Sequence, residues 1–486
     1  MPLASTREKM SAVDTAWLRM ERPHNQMMIC GVLLFRERLG LQRLTRLLRQ
    51  RFLVFPRFKQ RAVEEAGAAF WQPEPQFDLR RHIVSARLPR RAGRRELQAF
   101  VAKLIATPLP RSRPMWQFHL VANYEGGSAL IARIHHAYAD GMALVRVMLS
   151  MTDAAPDGPR AMPFAPHVRA RKEALHLLPP WLAPFEGALD ATMKMGSTLL
   201  KKGGDLLADP AKAVALAAQG SALTSEIARL ALMPQDSLTR FKGVPGIAKR
   251  VVWTEPLPLS EVKTVGRALG ASVNDVLLSC TAGAIRGYLK DKGDAVAGVS
   301  LRALVPVNLR PLERVWELGN KFGLVFLDLP IGIENPVERL YAVRANMNAL
   351  KGSYQPVLAL GLLAAMGAGP KALQEALLNA LSRNASAVMT NVPGPQRPLY
   401  LAGAKIGSLM FWVPQSGNIG IGVSILSYNG AVQFGLLTDR GLCPDPERIS
   451  ARFGTEFDTL LFTTLMAPWP RDGNLDPDDA AGVLGR

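Results

Sequence analysis

The apolar positions of this chain fall into two series of strand-length and helix-period runs, separated by a stretch of different character. In the first series, residues 27–35 and 128–136 are nearly unbroken apolar runs of strand length. Glu125-Gly126-Gly127 has hairpin-turn composition and joins the strand over 113–121 to the one over 128–136. Helical spacing marks residues 10–18, 41–52 (Leu41, Leu44, Leu47, Leu48, Phe52), 94–106 and 142–149. The second series begins near 250–253. It predicts helices over 260–269, with Ser260 as N-cap, and over 273–289, 335–351 and 361–381. Strands are predicted over 301–307, 321–330, 385–392, 406–412, 419–428 and 431–438.

Between the series, residues 153–159 have loop composition, 161–184 are rich in proline and basic residues, and 188–232 are dominated by Ala, Leu and Lys. A chain of 486 residues exceeds one ordinary core. The predicted organisation is an α/β domain over 1–152, a helical linker over 153–249, a second α/β domain over 250–465 and a disordered tail over 466–486. Residues 352–370 form the longest uncharged stretch, but its prolines and glycines predict a buried or surface-seeking helix rather than a membrane span. The N-terminus leads into no apolar segment of the signal-peptide kind.

Charge adds a partner class. The formal net charge is +19 and the pI about 10.2, which favours nucleic acid, an anionic membrane or a phosphate-bearing ligand. No nucleic-acid-binding signature accompanies it. Arg43, Arg46, Arg49 and Arg51 interleave the apolar residues of 41–52, giving a solvated basic face or one that touches anionic lipid or phosphate. Cys30, Cys280 and Cys443 lie far apart without CxxC spacing, which argues against a zinc site or disulfide framework and for a reducing, cytoplasmic setting.

The candidate chemistry sits where the apolar run over 128–136 ends: His135-His136-Ala137-Tyr138-Ala139-Asp140-Gly141, the pattern HHxxxDG. Strand alternation puts Leu130, Ala132, Ile134 and His136 on one face and Ile131, Arg133 and His135 on the other. Only one histidine can therefore serve a given cleft as general base, a role that its near-neutral pKa suits. Asp140 would either fix an imidazole tautomer or pair with an arginine. Gly141 would allow close backbone packing or an unusual φ where the next helix starts. Opposed histidines are poor co-ligands and HExxH is absent, so no metal is expected. A nucleophilic triad is not expected either, because no GxSxG elbow is present.

HHxxxDG resembles the signature of the two-domain acyltransferases similar to chloramphenicol acetyltransferase, including peptide-synthetase condensation domains. Further elements narrow the resemblance to the bacterial wax ester synthase/acyl-CoA:diacylglycerol acyltransferase family. Arg113-Pro114-Met115-Trp116 is similar to its PLW element, with Met115 for Leu. Ser272-Val273-Asn274-Asp275 is similar to its SxxND element, and Pro306-Val307-Asn308-Leu309-Arg310 to its PVSLR element, with Asn308 for Ser. Asn391-Val392-Pro393-Gly394-Pro395 matches its NVPGP element. A condensation domain would lack the PLW and NVPGP elements, and a non-catalytic lipid-surface protein would not need an intact HHxxxDG.

The resemblance implies a fold and a reaction. The fold would be two chloramphenicol-acetyltransferase-like α/β domains, mixed sheets flanked by helices, joined by a helical crossover. His136 would be the general base and His135 a supporting residue in transfer of a fatty acyl group from acyl-CoA to diacylglycerol or a long-chain alcohol, with no cofactor. Asp140 would be a structural anchor bound to an arginine, Arg61 first and Arg310 second. Asn274 and Thr390 would be oxyanion candidates, with Asp275 and Asn391 beside them as substrate-binding candidates. An acyl tunnel would lie between the halves, with the helix over 357–366 as one wall. The basic charge would hold CoA phosphates and keep a cytoplasmic enzyme against the inner membrane face or lipid inclusions.

Overall fold

The computed structural model describes residues 7–156, 229, 233–310, 318–351 and 353–467. Predicted linker helices, such as that over 193–207, and nearly all of the predicted tail lie outside the described residues. In chain order the first half supplies strands β1 (Glu8–Lys9), β2 (Met28–Phe35), β3 (Gln60–Glu65), β4 (Ala68–Pro73), β5 (Ile83–Ala86), β6 (Trp116–Tyr124), β7 (Gly127–His135) and β8 (Thr152–Asp153). Its helices are α1 (Ala12–Met20), α2 (Leu41–Leu47), α3 (Arg94–Ile105) and α4 (Gly141–Ser150). The second half supplies β9 (Lys249–Trp253), β10 (Leu257–Pro258), β11 (Leu301–Asn308), β12 (Phe322–Leu329), β13 (Ala387–Pro393), β14 (Tyr400–Leu401), β15 (Ala404–Trp412), β16 (Ile421–Tyr428) and β17 (Ala431–Asp439). Its helices are α5 (Leu259–Ala268), α6 (Val273–Asp291), α7 (Pro336–Leu350), α8 (Gln355–Ala368), α9 (Lys371–Arg383) and α10 (Glu447–Met466).

Two seven-stranded mixed sheets carry the fold. One runs β5-β6-β7-β2-β15-β14-β8; the other runs β10-β17-β16-β13-β11-β12, with β9 also on β17. A small antiparallel sheet, β1-β4-β3, accompanies the first. The first sheet is not made by the first half alone. β15 comes from the second half and pairs antiparallel with β2, Phe411 opposite Gly31 and Trp412 opposite Cys30. Every residue of β7 is buried, with Leu130, Ala132 and Ile134 in one apolar cluster and Ala129 and Ile131 in another. Covering both faces explains why its sequence is a continuous apolar run rather than an alternating one. The turn before β7 takes positive φ at Glu125 (45°) and Gly126 (82°), as a two-residue hairpin turn requires.

Three helices depart from the sequence pattern. The one expected over 361–381 is two, α8 and α9, because Pro370 supplies no amide hydrogen and caps α9 instead of continuing α8. α5 starts one residue earlier than expected, with Pro258 as its N-cap and Ser260 inside the first turn. α2 ends at Leu47, and Leu48–Phe52 continues as a π-helical turn that buries Leu48 and Phe52. Arg43, Arg46 and Arg49 face solvent there, while Arg51 pairs with Asp153 at 2.9 Å.

α8 packs against α1 and β12. Their approach is so close that a Cβ on Gly367 would collide with the Ala12 carbonyl, which fixes α1 where its side chains reach the end of β7.

Candidate active site

β7 stops at His135, and His136 is the first residue beyond it, its N–H donating to the Met27 carbonyl at 2.7 Å. The imidazole is buried and stacks on Trp17 of α1, with ring centroids 4.0 Å apart and planes 15° from parallel. Its Nδ1 lies 2.9 Å from Asn320 Oδ1. The Asn320 amide nitrogen donates to Asp14 Oδ1 and to the His136 carbonyl, both at 2.8 Å. With that NH2 committed twice, the oxygen must face the ring, so Nδ1 carries the hydrogen and Nε2 keeps its lone pair. Burial pushes the His136 pKa down to about 4, against the opposing pull of the Asp140 charge and the Asn320 bond. The ring is thus a neutral proton acceptor at neutral pH.

His135 turns the other way, as alternation requires. It is fully buried, its Nδ1 accepts the Ala137 N–H at 3.1 Å, and its Nε2 lies 3.6 Å from Glu21 Oε1. Burial, with the Arg111 and His136 charges, pushes its pKa down to about 3. It holds the turn after β7 and lines neither cavity described below.

Asp140 caps α4 by accepting the Ala143 N–H at 2.8 Å. Its other oxygen accepts from Arg310 Nη2 at 2.9 Å and from the Lys321 N–H at 3.0 Å. Arg310 Nη2 also donates to the Gly319 carbonyl at 2.7 Å. The expected first-choice partner, Arg61, is not there: it lies on β3, with Nε 3.8 Å from Glu74. Asp140 faces across to the second half, where, among the described residues, the segment after β11 reaches it. No hydrogen bond joins Asp140 to His136, so the aspartate anchors the loop and acts on the imidazole only through its charge.

A cavity of about 130 Å³ opens beside His136, walled by Trp17, Asp140, Gly141 and Met142 from the first half and by Asn308, Phe322, Thr390, Asn391 and Phe411 among others from the second. A second cavity of about 100 Å³ shares Gly141, Val392 and Phe411 with it and continues between β2, β7, β15 and α4. Its walls are almost entirely apolar, including Leu144, Met148, Leu149, Leu409 and Leu426. Gly141 has neither positive φ nor tight packing; nothing lies within 4 Å of where its Cβ would be. Its place is at the junction of the two cavities. The helix over 357–366 lines neither cavity and packs instead as core of α8, with β12 presenting Phe322 and Leu324 to the space.

Of the remaining candidates, Thr390 and Asn391 reach the cavity and Asn274 and Asp275 do not. Asn274 Oδ1 accepts from Asn391 Nδ2 at 2.6 Å. Asp275 closes a capping box with Ser272 at the start of α6, a helix-start role in place of substrate contact. Asn308 was singled out only as a departure from the family pattern, yet it lines the cavity; its Oδ1 accepts the Arg310 N–H at 3.2 Å. Trp17, Asp14 and Asn320 were not foreseen, since Trp17 and Asp14 sit in an ordinary amphipathic helix and Asn320 in a short connection. Among the described residues no group of three His, Cys, Asp or Glu side chains could hold a metal ion.

Comparison with known proteins supplies the family and the fold. The wax ester synthase/diacylglycerol acyltransferase catalytic domain model matches residues 10–277, and the WS/DGAT C-terminal domain model matches 318–461. A Mycobacterium tuberculosis protein named for diacylglycerol O-acyltransferase activity is 31% identical over 428 residues, covering 85% of this chain and 81% of its own. A second from that organism is 27% identical over 421 residues, covering 83% and 84%. Among solved structures, the wax ester synthase/diacylglycerol acyltransferase of Marinobacter aquaeolei VT8 superposes with a TM-score of 0.65 at 23% identity, over 94% of this chain and 100% of that one. The first condensation domain of the calcium-dependent antibiotic synthetase shares the fold, with a TM-score of 0.59 at 15% identity over 96% and 97%. The chain is therefore a member of the wax ester synthase/diacylglycerol acyltransferase family.

Proposed function

We propose that this acyltransferase moves a long-chain fatty acyl group from acyl-CoA to the hydroxyl of a lipid alcohol, either diacylglycerol or a long-chain alcohol. The observation that carries the reading is a buried, neutral imidazole with Nδ1 committed to Asn320, beside an apolar cavity walled by both halves. His136 Nε2 takes the acceptor's hydroxyl proton, and the alkoxide oxygen bonds to the thioester carbon. The tetrahedral oxyanion collapses, the C–S bond breaks, and the thiolate leaves with the proton that His136 returns. The protein forms no bond to the acyl group, and the step needs no cofactor or metal.

The second, apolar cavity suits the acyl chain, because its walls carry almost no polar group to desolvate. Asn308 is our oxyanion donor: it lines the cavity, its Oδ1 is already engaged, and its amide hydrogens have no partner among the described residues. Thr390 is a second donor, since the one bond its side chain makes among the described residues, to the Val423 carbonyl, is long at 3.4 Å. One such donor is worth about 10²–10³ in turnover. The net charge of +19 supports peripheral association with anionic lipid, at the inner membrane face or on lipid inclusions, where the substrates partition.

Purified protein given palmitoyl-CoA with hexadecanol and with dioleoylglycerol in parallel tests the reading. Thiol release with a chromatographically identified wax ester or triacylglycerol supports it; no acceptor-dependent thiol release with either rejects it.

A further inference from the structure

Between α3 and β9 lies a cleft of about 880 Å³, on a face that the chemistry above does not use. Five cations line it, Arg95, Lys103, Lys249, Arg250 and Arg440, against one acid, Glu447. Lys249 pairs with Asp439 and Arg250 with Glu447, whereas Arg95, Lys103 and Arg440 are exposed and form no ion pair among the described residues.

One apolar residue of the cleft wall, Ile247, belongs to an exposed loop that also carries Val244. The loop Gly243-Val244-Pro245-Gly246-Ile247 enters β9 with Val244 93% and Ile247 59% exposed. The loop is nevertheless tied down. The Gly246 N–H donates to Asp439 Oδ2 at 2.8 Å, and Lys249 Nζ donates to the Gly246 carbonyl at 3.0 Å. Two large aliphatic side chains are thus held in water on an anchored backbone, beside uncompensated positive charge. By contrast, the basic segment α2 and the turn after it bury Leu44, Leu47 and Leu48 in the core and leave Leu41 44% exposed, less than either Val244 or Ile247.

A small pocket of about 10 Å³ adjoins the cleft: Ala106, Ile247 and Lys249 line both, and His24, Trp412 and Pro414 also bound the smaller one. Pro414 in turn lines the cavity beside His136.

From these observations we propose that this face, the Val244–Ile247 loop with Arg95, Lys103 and Arg440, docks the enzyme on an anionic lipid surface. The two aliphatic side chains enter the headgroup–acyl boundary while the three cations sit over lipid phosphates. The lipid acceptor then comes from the surface on which the enzyme sits. The docking partner is chosen by charge complementarity and by the exposed aliphatics. The inference rests on the acyl-transfer reading only for the identity of the acceptor.

Sedimentation of the full chain with vesicles of phosphatidylglycerol or of phosphatidylcholine tests it. Three variants are compared: Val244→Asp/Ile247→Asp; Arg95→Glu/Lys103→Glu/Arg440→Glu; and, as the competing basic face, Arg43→Glu/Arg46→Glu/Arg49→Glu. Expected are binding to phosphatidylglycerol but not to phosphatidylcholine, loss of that binding by at least about tenfold in the first two variants, and wild-type binding in the third. Wild-type sedimentation of the first two variants, or loss of binding in the third instead, overturns the proposal. Acyl transfer to hexanol in free solution is measured beside it and should survive in all three variants, which shows that they fold. If the wild-type protein makes no hexyl ester, the acyl-transfer reading fails while the vesicle data still decide the docking surface.

Discussion

Asn320 grips His136 at two points, accepting from Nδ1 at 2.9 Å and donating to the backbone carbonyl at 2.8 Å. Asp14 holds the same amide in place from α1, so a residue early in the chain helps set the orientation of the His136 ring. Replacing Asn320 with Ala frees both the tautomer and the ring. Turnover should fall on the order of a hundredfold with little change in the KM for acyl-CoA. Steady-state kinetics check this, and a KM rise with unchanged kcat would make Asn320 a substrate-binding group instead.

Asp140 and Arg310 form a nearly fully buried ion pair, with side chains 3% and 0% exposed. Removing one partner of such a pair leaves an uncompensated charge and costs about 3–5 kcal/mol. Asp140→Asn keeps an N-cap side chain for α4, so its effect reports the lost charge. Both Asp140→Asn and Arg310→Ala should lower the melting temperature and activity together. Lost activity in Asp140→Asn at an unchanged melting temperature would place the aspartate in the chemistry.

The buried histidines make the fold acid-sensitive. Their folded-state pKa values, about 3 for His135 and about 4 for His136, lie below the ordinary 6.5. The unfolded chain therefore binds these protons first. Their contribution to stability is complete above about pH 6.5 and is lost as pH falls towards 4 and then 3. Urea unfolding midpoints should drop across that window, and His135→Gln should flatten the drop. An equal slope in wild type and variant would contradict the assignment.

Met148 projects into the apolar cavity that adjoins the catalytic one. Met148→Trp should shorten the space for an acyl chain. We expect at least a tenfold loss with palmitoyl-CoA and little loss with octanoyl-CoA, because partial filling removes apolar volume only for the longer chain. Rates across an acyl-CoA length series would reveal it, and an unaltered chain-length profile would exclude this cavity as the acyl site.

Much of the fold was legible because its causes are local. The glycine-bearing hairpin turn before β7 and the apolar run of β7 itself are properties of neighbouring residues. Strand alternation also separated His136 from His135 correctly. What could not be read is what the chain brings together from a distance. Arg61 was preferred to Arg310, and the loop after β11, which carries Arg310 to Asp140, reverses that order. Asn320 reaches His136 across 184 residues, with no periodicity or motif to announce it. The insertion of β15 beside β2 is likewise a matter of pairing, since neither strand's composition names its neighbour.

Acceptor-dependent CoA release by His136→Ala, compared with the wild-type protein at neutral pH, tests the central claim most directly. If His136 is the single general base, turnover falls by about 10²–10⁴ while the melting temperature and acyl-CoA binding stay near wild type. Retention of wild-type turnover by that variant would contradict the account.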